Sequence, residues 1–215
     1  MNFSEFERIV KSRRSVRKWK QDPIPDEVLK KAIELATWAP NGGNHQNWHF
    51  TVVKRPNTIV KMADAVQSVV DKMAEWPECA DCREDIDRSQ KNASFFRNAA
   101  ACVAVFVGQY QSGIDKVLVP RECIDDQARL IRECRGFAPT AIQSAAAAVT
   151  TMLLSLHCMG LGAVWLGAPL VAKNQIENIL SAPENMGLVC LVAVGHPDET
   201  PTKDRRPVDE VLTFV

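Results

Sequence analysis

Apolar residues recur along this chain at two spacings. Phe3, Phe6, Ile9 and Val10 fall on one side of a helix drawn over residues 3–11. Val28, Leu29, Ala32, Ile33 and Ala36 form the buried stripe of a second helix, opening at Asp26 and running to about Trp38. Ile59, Met62, Val66, Val69, Val70 and Met73 do the same for a third, which Asn57 can cap. Trp48–Val53, Ala101–Val107 and Leu188–Val194 are apolar runs of strand length. Residues 121–134 and Lys173–Ser181 read as further helices. From Glu75 to Arg97 the pattern fades into charge, one proline and two cysteines. That segment is either a short helix with loops or a mobile lid.

The longest uncharged stretch lies between Arg135 and Lys173. Ala138–Met159 reads as one long helix, with Pro139 suited to its first turn and Gly160 and Gly162 to its end. Ala163–Pro169 then reads as a short buried strand and a turn. A helix apolar on every face belongs in the middle of a domain or in a membrane. Here alanine dominates, and Thr140, Gln143, Ser144, Thr150, Thr151 and His157 interrupt it. That favours a core pillar, a subunit interface or both over a span.

Helices and strands alternate irregularly, and the strands are too few for a barrel. The pattern predicts an α+β layered fold: a mixed, mainly antiparallel central sheet sandwiched by helices. Residues 1–215 form one domain with a variable lid at about 75–97. The tail from Val208 to Val215 ends in β-branched and aromatic residues and reads as an edge strand.

Composition is that of an ordinary globule. With 26 Lys plus Arg against 26 Asp plus Glu, nothing draws the chain toward nucleic acid or an anionic membrane. The amino terminus has no basic-then-apolar signal pattern, and the seven cysteines are odd in number. Both point to a reducing cytoplasm. Cys102, Cys158 and Cys190 sit in apolar runs and read as inert core thiols. Cys79 and Cys82 form a lone C-x-x-C without the second pair that zinc would need. No metal site and no Ser-His-Asp cluster is expected.

The charge is unevenly placed. Arg13, Arg14, Ser15 and Arg17 put three guanidinium groups and a hydroxyl within five residues. Such forks suit a phosphate, or they are a solvated turn. Lys203 and Arg205 near the other end carry the same two readings. Pro40, Asn41, Gly42, Asn44 and Gln46 lie in a loop of bare backbone and side-chain amides. It can lie close to a flat heterocycle, or simply stop a helix. Leu166, Gly167 and Ala168 form a turn open to the same pair of readings. His45 is either a polar loop residue or a catalytic one.

Taken in order, these motifs resemble the nitroreductase family of flavoproteins. The resemblance rests on Arg13-Arg-Ser-Val-Arg17, the loop Ala39-Pro-Asn-Gly-Gly-Asn-His-Gln-Asn-Trp48, and the Ala-rich helix. Gly160-Leu-Gly-Ala-Val-Trp-Leu-Gly167, Val194-Gly-His-Pro197 and Lys203-Asp-Arg-Arg-Pro207 complete it. It covers nearly the whole chain apart from about residues 75–97 and 109–120. Two positions depart from the family's usual loop: Asn41 stands where Ser is common and Asn47 where Pro is.

The resemblance implies an FMN-dependent homodimer with two active sites at the subunit interface. Arg13, Arg14, Ser15, Arg17, Lys203 and Arg205 would hold the phosphate and part of the ring edge. Pro40, Asn41, Gly42 and Asn44 would come from the other subunit, with Gln46 nearby. Leu166, Gly167 and Ala168 would run along the ring. The Ala-rich helix would pack against its mate, and the tail would cross the other subunit. NADH or NADPH would reduce the flavin, and a nitroaromatic, quinone or other flat acceptor would take its electrons in a ping-pong cycle. The flavin carries the chemistry, so no catalytic side chain is named. Two other functions stay open: a specialised relative that dehalogenates substrates reductively or cleaves flavin, and a flavin-binding protein without turnover.

Overall fold

The computed structural model describes residues 2–215. Strands β1 (Trp48–Val53), β2 (Ala101–Gly108), β3 (Gly162–Leu166) and β4 (Met186–Gly195) lie side by side in the order β1-β2-β4-β3. Every neighbouring pair is antiparallel, so the expected mixed sheet is corrected. The parallel component is a single bridge, Ser15 to Ala163, outside the named strands.

Strand β2 shows why the sheet is buried on both faces. Ala101, Val103 and Val105 belong to one core, Cys102, Ala104 and Phe106 to the other, as the period of two requires. The first core is closed by helices α2 (Asp26–Ala36) and α7 (Thr140–Cys158). The second is closed by α3 (Pro56–Met73) and α8 (Lys173–Leu180). The remaining helices are α1 (Phe3–Ser12), α4 (Arg83–Asn92), α5 (Gly113–Arg121) and α6 (Asp126–Gly136).

Helix α7 buries Ala145, Ala148, Val149, Met152 and Leu156 against the sheet and α2. The alanines let the helix lie close. Met152 and Leu156, both buried, contribute roughly 2 kcal/mol each. Ser144 and Ser155, also buried, donate to the carbonyls of Thr140 and Thr151, both at 2.8 Å, and so remain satisfied. Pro139 is the residue before the helix rather than in its first turn. Gly160, at φ +76°, ends it. The opposite side of α7 is uncovered: Ile142, Gln143 and Thr150 are exposed, and Ala146 and Leu154 half-buried. By length and composition the stretch Asp126–Cys158 passes for a membrane span. In the fold it is two helices, α6 and α7, broken at Phe137–Pro139.

Several expectations need correction. Arg55 precedes α3 and Pro56 opens it, so Asn57 is not its cap. Residues 121–134 are not one helix: α5 ends at Arg121, and the Asp125 carboxylate starts α6 by accepting from the amides of Gln127 (3.0 Å) and Ala128 (3.2 Å). The tail forms no strand; it makes one exposed turn at Val208–Glu210. Cys158 is exposed rather than a core thiol. Cys102 and Cys190 are buried, and desolvation pushes both thiols up to about 12. Between Glu75 and Arg97 the short-helix alternative holds. Gln67 of α3 bonds the segment twice, through the Gln90 carbonyl (3.1 Å) and the Ser94 hydroxyl (2.8 Å). Phe96 is wholly buried there, and Phe95 stacks on Trp19 with ring centres 6.1 Å apart.

The loop from Arg13 to Lys20 runs along the outer edge of β3. The Val16 amide donates to the Ala163 carbonyl (3.2 Å), and the Trp19 indole N–H to that of Gly162 (2.8 Å). Two glycines make room for it. A Cβ on Gly162 would meet Val16 at 2.7 Å, and one on Gly195 would meet Trp19 at 2.8 Å. Trp19 is buried on both its backbone and ring sides, so it has nowhere to shift. Gly195→Ala is therefore expected to destabilise by about 1–3 kcal/mol in urea unfolding. Gly113→Ala, where a methyl group meets nothing within 4 Å, should stay within about 0.5 kcal/mol of the parent. Equal midpoints for Gly195→Ala and the parent would refute the packing account.

Candidate functional site

Two groups of the singled-out residues gather at opposite ends of α7. At its carboxyl end, α1 stops at Arg13, whose amide donates to Ile9 (3.1 Å). Ser12 places its hydroxyl oxygen 2.8 Å from Nε2 of His157. Arg14 spends its guanidinium on backbone: Nε donates to the Lys203 carbonyl (2.8 Å) and Nη1 to that of Arg13 (2.9 Å). This joins the two basic segments, 189 residues apart in sequence.

The electrostatics of this end are unbalanced. Arg13 forms no ion pair among the described residues. Burial lowers its pKa first, then the charges of Arg205 and Arg14. The nearby acid, Glu199, is occupied: its carboxylate accepts from the amides of Arg17 and Lys18 (3.2 Å for the latter). Arg17 itself turns outward and donates to the Ser15 carbonyl at 3.3 Å. A cavity of about 280 Å³ opens here, walled by Arg13, Arg14, His157, Leu161 and Glu199. Crowded cations beside a single lining acid, itself engaged by backbone amides, favour an anion.

Leu166 ends β3 on the same edge, and Gly167 and Ala168 lead into a 3-10 turn over Ala168–Ala172. Val16 bonds Ala163 on the strand's outer side, so the period of two turns the main-chain groups of Trp165 outward as well, whereas Gly167 has helical φ/ψ and its carbonyl accepts from the Leu170 amide at 3.0 Å. Leu166 is buried, whereas Gly167 and Ala168 are exposed. Nothing lies within 4 Å of a Cβ placed on Gly167. The space beside that backbone is open.

The loop Pro40–Gln46 lies at the other, amino end of α7. The Gly42 amide donates to Ser144 Oγ (3.2 Å). A Cβ on Gly42 would stand 2.3 Å from Thr140 Cγ2 and 3.2 Å from the Tyr110 ring, so only glycine fits. Gly43, Asn44 and Gln46 have φ of +58°, +54° and +48°. For Gln46 that is a strained backbone, held by its amide bond to Asn41 Oδ1 (3.0 Å). Gln46 also donates to Asn44 Oδ1 (3.2 Å). Pro40 is exposed. Asn47, the departure from the family's loop, clasps the end of β2: its Nδ2 donates to the Gly108 carbonyl at 2.7 Å, and its own carbonyl accepts from Gly108 at 2.8 Å.

Arg13, Arg14, Ser15, Arg17, Leu166, Gly167, Ala168, Lys203 and Arg205 thus share one edge of the molecule. Pro40, Asn41, Gly42, Asn44 and Gln46 do not join them. The 19 residues of α7 separate the two groups by roughly 28 Å at 1.5 Å per residue. Sequence reasoning missed Glu199, which locks the basic loop; the acid two residues after Gly195-His-Pro197 was the available signal. It also missed Tyr110 and the α5–α6 segment, which lie beside the Gly42 loop. His45 contacts Tyr110 edge-to-face at 5.5 Å. Trp76 is exposed. No cluster of metal ligands occurs among the described residues.

An antiparallel sheet with helices on both faces and a basic edge defines the class: a layered α+β domain. Residues 10–196 match the sequence pattern of the Nitroreductase family, and the chain belongs to that family, within the FMN-dependent oxidoreductase superfamily. It is similar to a BluB-like flavoprotein from Clostridium difficile 630, at 30% identity and a TM-score of 0.83, covering 100% of this chain and 99% of the other. A provisionally named nitroreductase from Desulfovibrio desulfuricans, in complex with FMN, is 25% identical with a TM-score of 0.62 over 97% and 95% of the two chains. A protein of Archaeoglobus fulgidus provisionally named NADH dehydrogenase/NAD(P)H nitroreductase is 25% identical over 194 residues, 89% of this chain and 85% of its own.

His157 supplies a pH test of the basic end. Burial, then the charges of Arg13 and Arg8, lower its pKa below the ordinary 6.5. The unfolded chain therefore binds this proton more readily than the folded one. Stability present above pH 6.5 is lost as pH falls through the lower folded value. The urea midpoint should drop between about pH 7 and pH 5, and His157→Gln should flatten that part of the profile. An identical slope in the variant would contradict the environment assigned to His157.

Proposed function

We propose that this protein is an FMN-dependent oxidoreductase that takes electrons from NADH or NADPH and passes them to a flat acceptor such as a nitroaromatic or quinone. The observation that carries the reading is the acid-poor cluster of Arg13, Arg14, Lys203 and Arg205 beside the open backbone of Leu166–Ala168. It fits a flavin phosphate and ring edge, and family membership supplies the chemistry. When bound, FMN supplies the electron-carrying step between donor and acceptor.

The chain's own residues bind and orient. Arg13 meets the phosphate with a guanidinium that no acid has taken. Arg14 and Glu199 hold the two basic segments in register rather than gripping the ligand. The outward main-chain groups of Trp165 and the Gly167 amide face the ring edge, where an N–H can donate. Arg17 is exposed at the mouth and adds positive potential, which favours the anionic reduced cofactor.

The reading requires a homodimer. One chain sets its loop Pro40–Gln46 roughly 28 Å from its own phosphate cluster, the length of α7 at 1.5 Å per residue. A two-fold axis along the uncovered, uncharged side of α7 brings the loop of a second copy to the cluster of the first. Two further surfaces fit that assembly. The outer edge of β1 is unpaired in the sheet, and the tail beyond Pro207 is exposed and without a strand partner. Pairing the tail of one copy with the other would cover both. The exposed Phe3, Phe6 and Val10 of α1 belong to the same buried contact.

The purified protein should show flavin absorption that bleaches when NADH or NADPH is added without oxygen. Arg13→Ala with Arg205→Ala should weaken FMN binding by roughly a hundredfold, the loss of two charge-assisted contacts. Flavin that stays oxidised would favour a non-catalytic flavoprotein. Full flavin retention in the double variant would remove the phosphate assignment.

A further inference from the structure

A second cavity, of about 460 Å³, lies at the amino end of α7 beside the Gly42 loop. The α5–α6 segment forms its outer wall, and Tyr110, Arg132, Arg135 and Thr140 face it. Its lining leans positive. Asp115 is the one carboxylate in its lining, against two guanidinium groups. Arg135 commits Nε and Nη2 to Asp115, both at 3.1 Å, and shares Nη2 with Ser112 Oγ at 3.1 Å; its Nη1 is unspent. Arg132 commits Nε to Glu122 at 2.8 Å, outside the lining, and its Nη1 stands 3.8 Å from Asp115, too far for a hydrogen bond.

The helix adds to this. Pro139 precedes α7 and offers no side-chain cap, so the first amides of a 19-residue helix open beside the cavity uncapped. Tyr110 brings a phenol whose hydroxyl makes no hydrogen bond among the described residues. Its ring touches His45 at one side, so the same side chain borders the cavity and the loop. The position of Asp115 keeps the wall rigid. The Arg135 bonds, then those of Ser112, hold its carboxyl well below the usual carboxylate range, so the Arg135–Asp115 clasp stays ionised.

We propose that Tyr110, Arg132 and Arg135, with the amino end of α7, form a subsite for the anionic substituent of the acceptor. The substrate class is then a planar aromatic carrying a carboxylate or similar anion, its reducible end over the flavin and its charged end in this cavity. The inference rests on the reading above, because the Gly42 loop brings the cavity to the flavin held by the other copy. It narrows that reading from any flat acceptor to a charged one. A carboxylate here gains charge-assisted bonds from a phenol and from the guanidinium donors that Asp115 and Glu122 leave unspent. A neutral acceptor of the same shape leaves those donors to water.

Calorimetry on the FMN-loaded protein tests the subsite without turnover. Loading fills the Arg13 cluster, so benzoate and the neutral isostere benzamide compete for what remains. Benzoate is expected to bind about tenfold or more tightly than benzamide. Arg132→Gln should remove most of that preference, and Tyr110→Phe, which keeps the ring against His45, should reduce it. In turnover, 4-nitrobenzoate should show a lower KM than its methyl ester in the parent, and the difference should vanish in Arg132→Gln. Equal affinities for benzoate and benzamide, or a preference that survives both substitutions, would overturn the subsite. Anaerobic bleaching by NADH or NADPH reports on the reductase reading separately: bleaching with no benzoate preference refutes the subsite alone, and benzoate preference without bleaching refutes the reductase alone.

Discussion

Ala145, Ala148 and Val149 bring α7 down onto the sheet, and that contact sets the position of everything else. The helix is long and lies across the core with one half of the candidate site at each end. Its carboxyl end meets the basic loop through His157 and Ser12. Its amino end receives the Gly42 loop through Ser144 and Thr140. Moving the helix would separate the cations from the β3 edge and close the space that only a glycine at position 42 allows. Because the side away from the sheet carries no charge, the same helix can be covered by a second copy without burying an unpaired ion.

The two ends solve different electrostatic problems. At one, cations converge and the available acid is consumed by backbone amides, leaving Arg13 uncompensated. At the other, each arginine is steadied by a carboxylate yet keeps donors in hand. The first arrangement suits a permanently held phosphate, which offsets the repulsion among Arg13, Arg14 and Arg205. The second suits a ligand that must also leave, since the arginines retain partners when it does. Binding at the first end and exchange at the second is the division that the proposed electron transfer from donor to acceptor calls for.

Strands and long helices were legible because burial dictates period: Trp48–Val53 and Ala101–Val107 stand where alternation and apolar runs put them. The basic loop and the Gly42 loop were legible as motifs. What escaped was tertiary. The tail reads as a strand because Val, Leu and Phe favour one, but a strand needs an edge, and within one chain the tail meets none. Cys158 lies in an apolar run whose outer side no element of the same chain covers. The α5–α6 wall escaped because charged residues of both signs are scattered through it, and charge patterning alone cannot tell a solvated face from the Arg135–Asp115 clasp. Glu199 escaped because its partners are backbone amides, which sequence does not display. Asn47 read as a departure from the family's loop, and only the register with Gly108 shows what it does.

The central claim is that each flavin site draws its phosphate grip from one copy and its Gly42 loop from another. Subunit mixing tests it directly. One variant carries Arg13→Ala with Arg205→Ala, the other Gly42→Val, and neither alone should hold FMN well. Unfolded together and refolded as a mixture, they should recover about a quarter of the parent's flavin, because half of the dimers combine one intact grip with one intact loop. A mixture that binds no more flavin than its components would contradict the shared site and place both halves within a single chain.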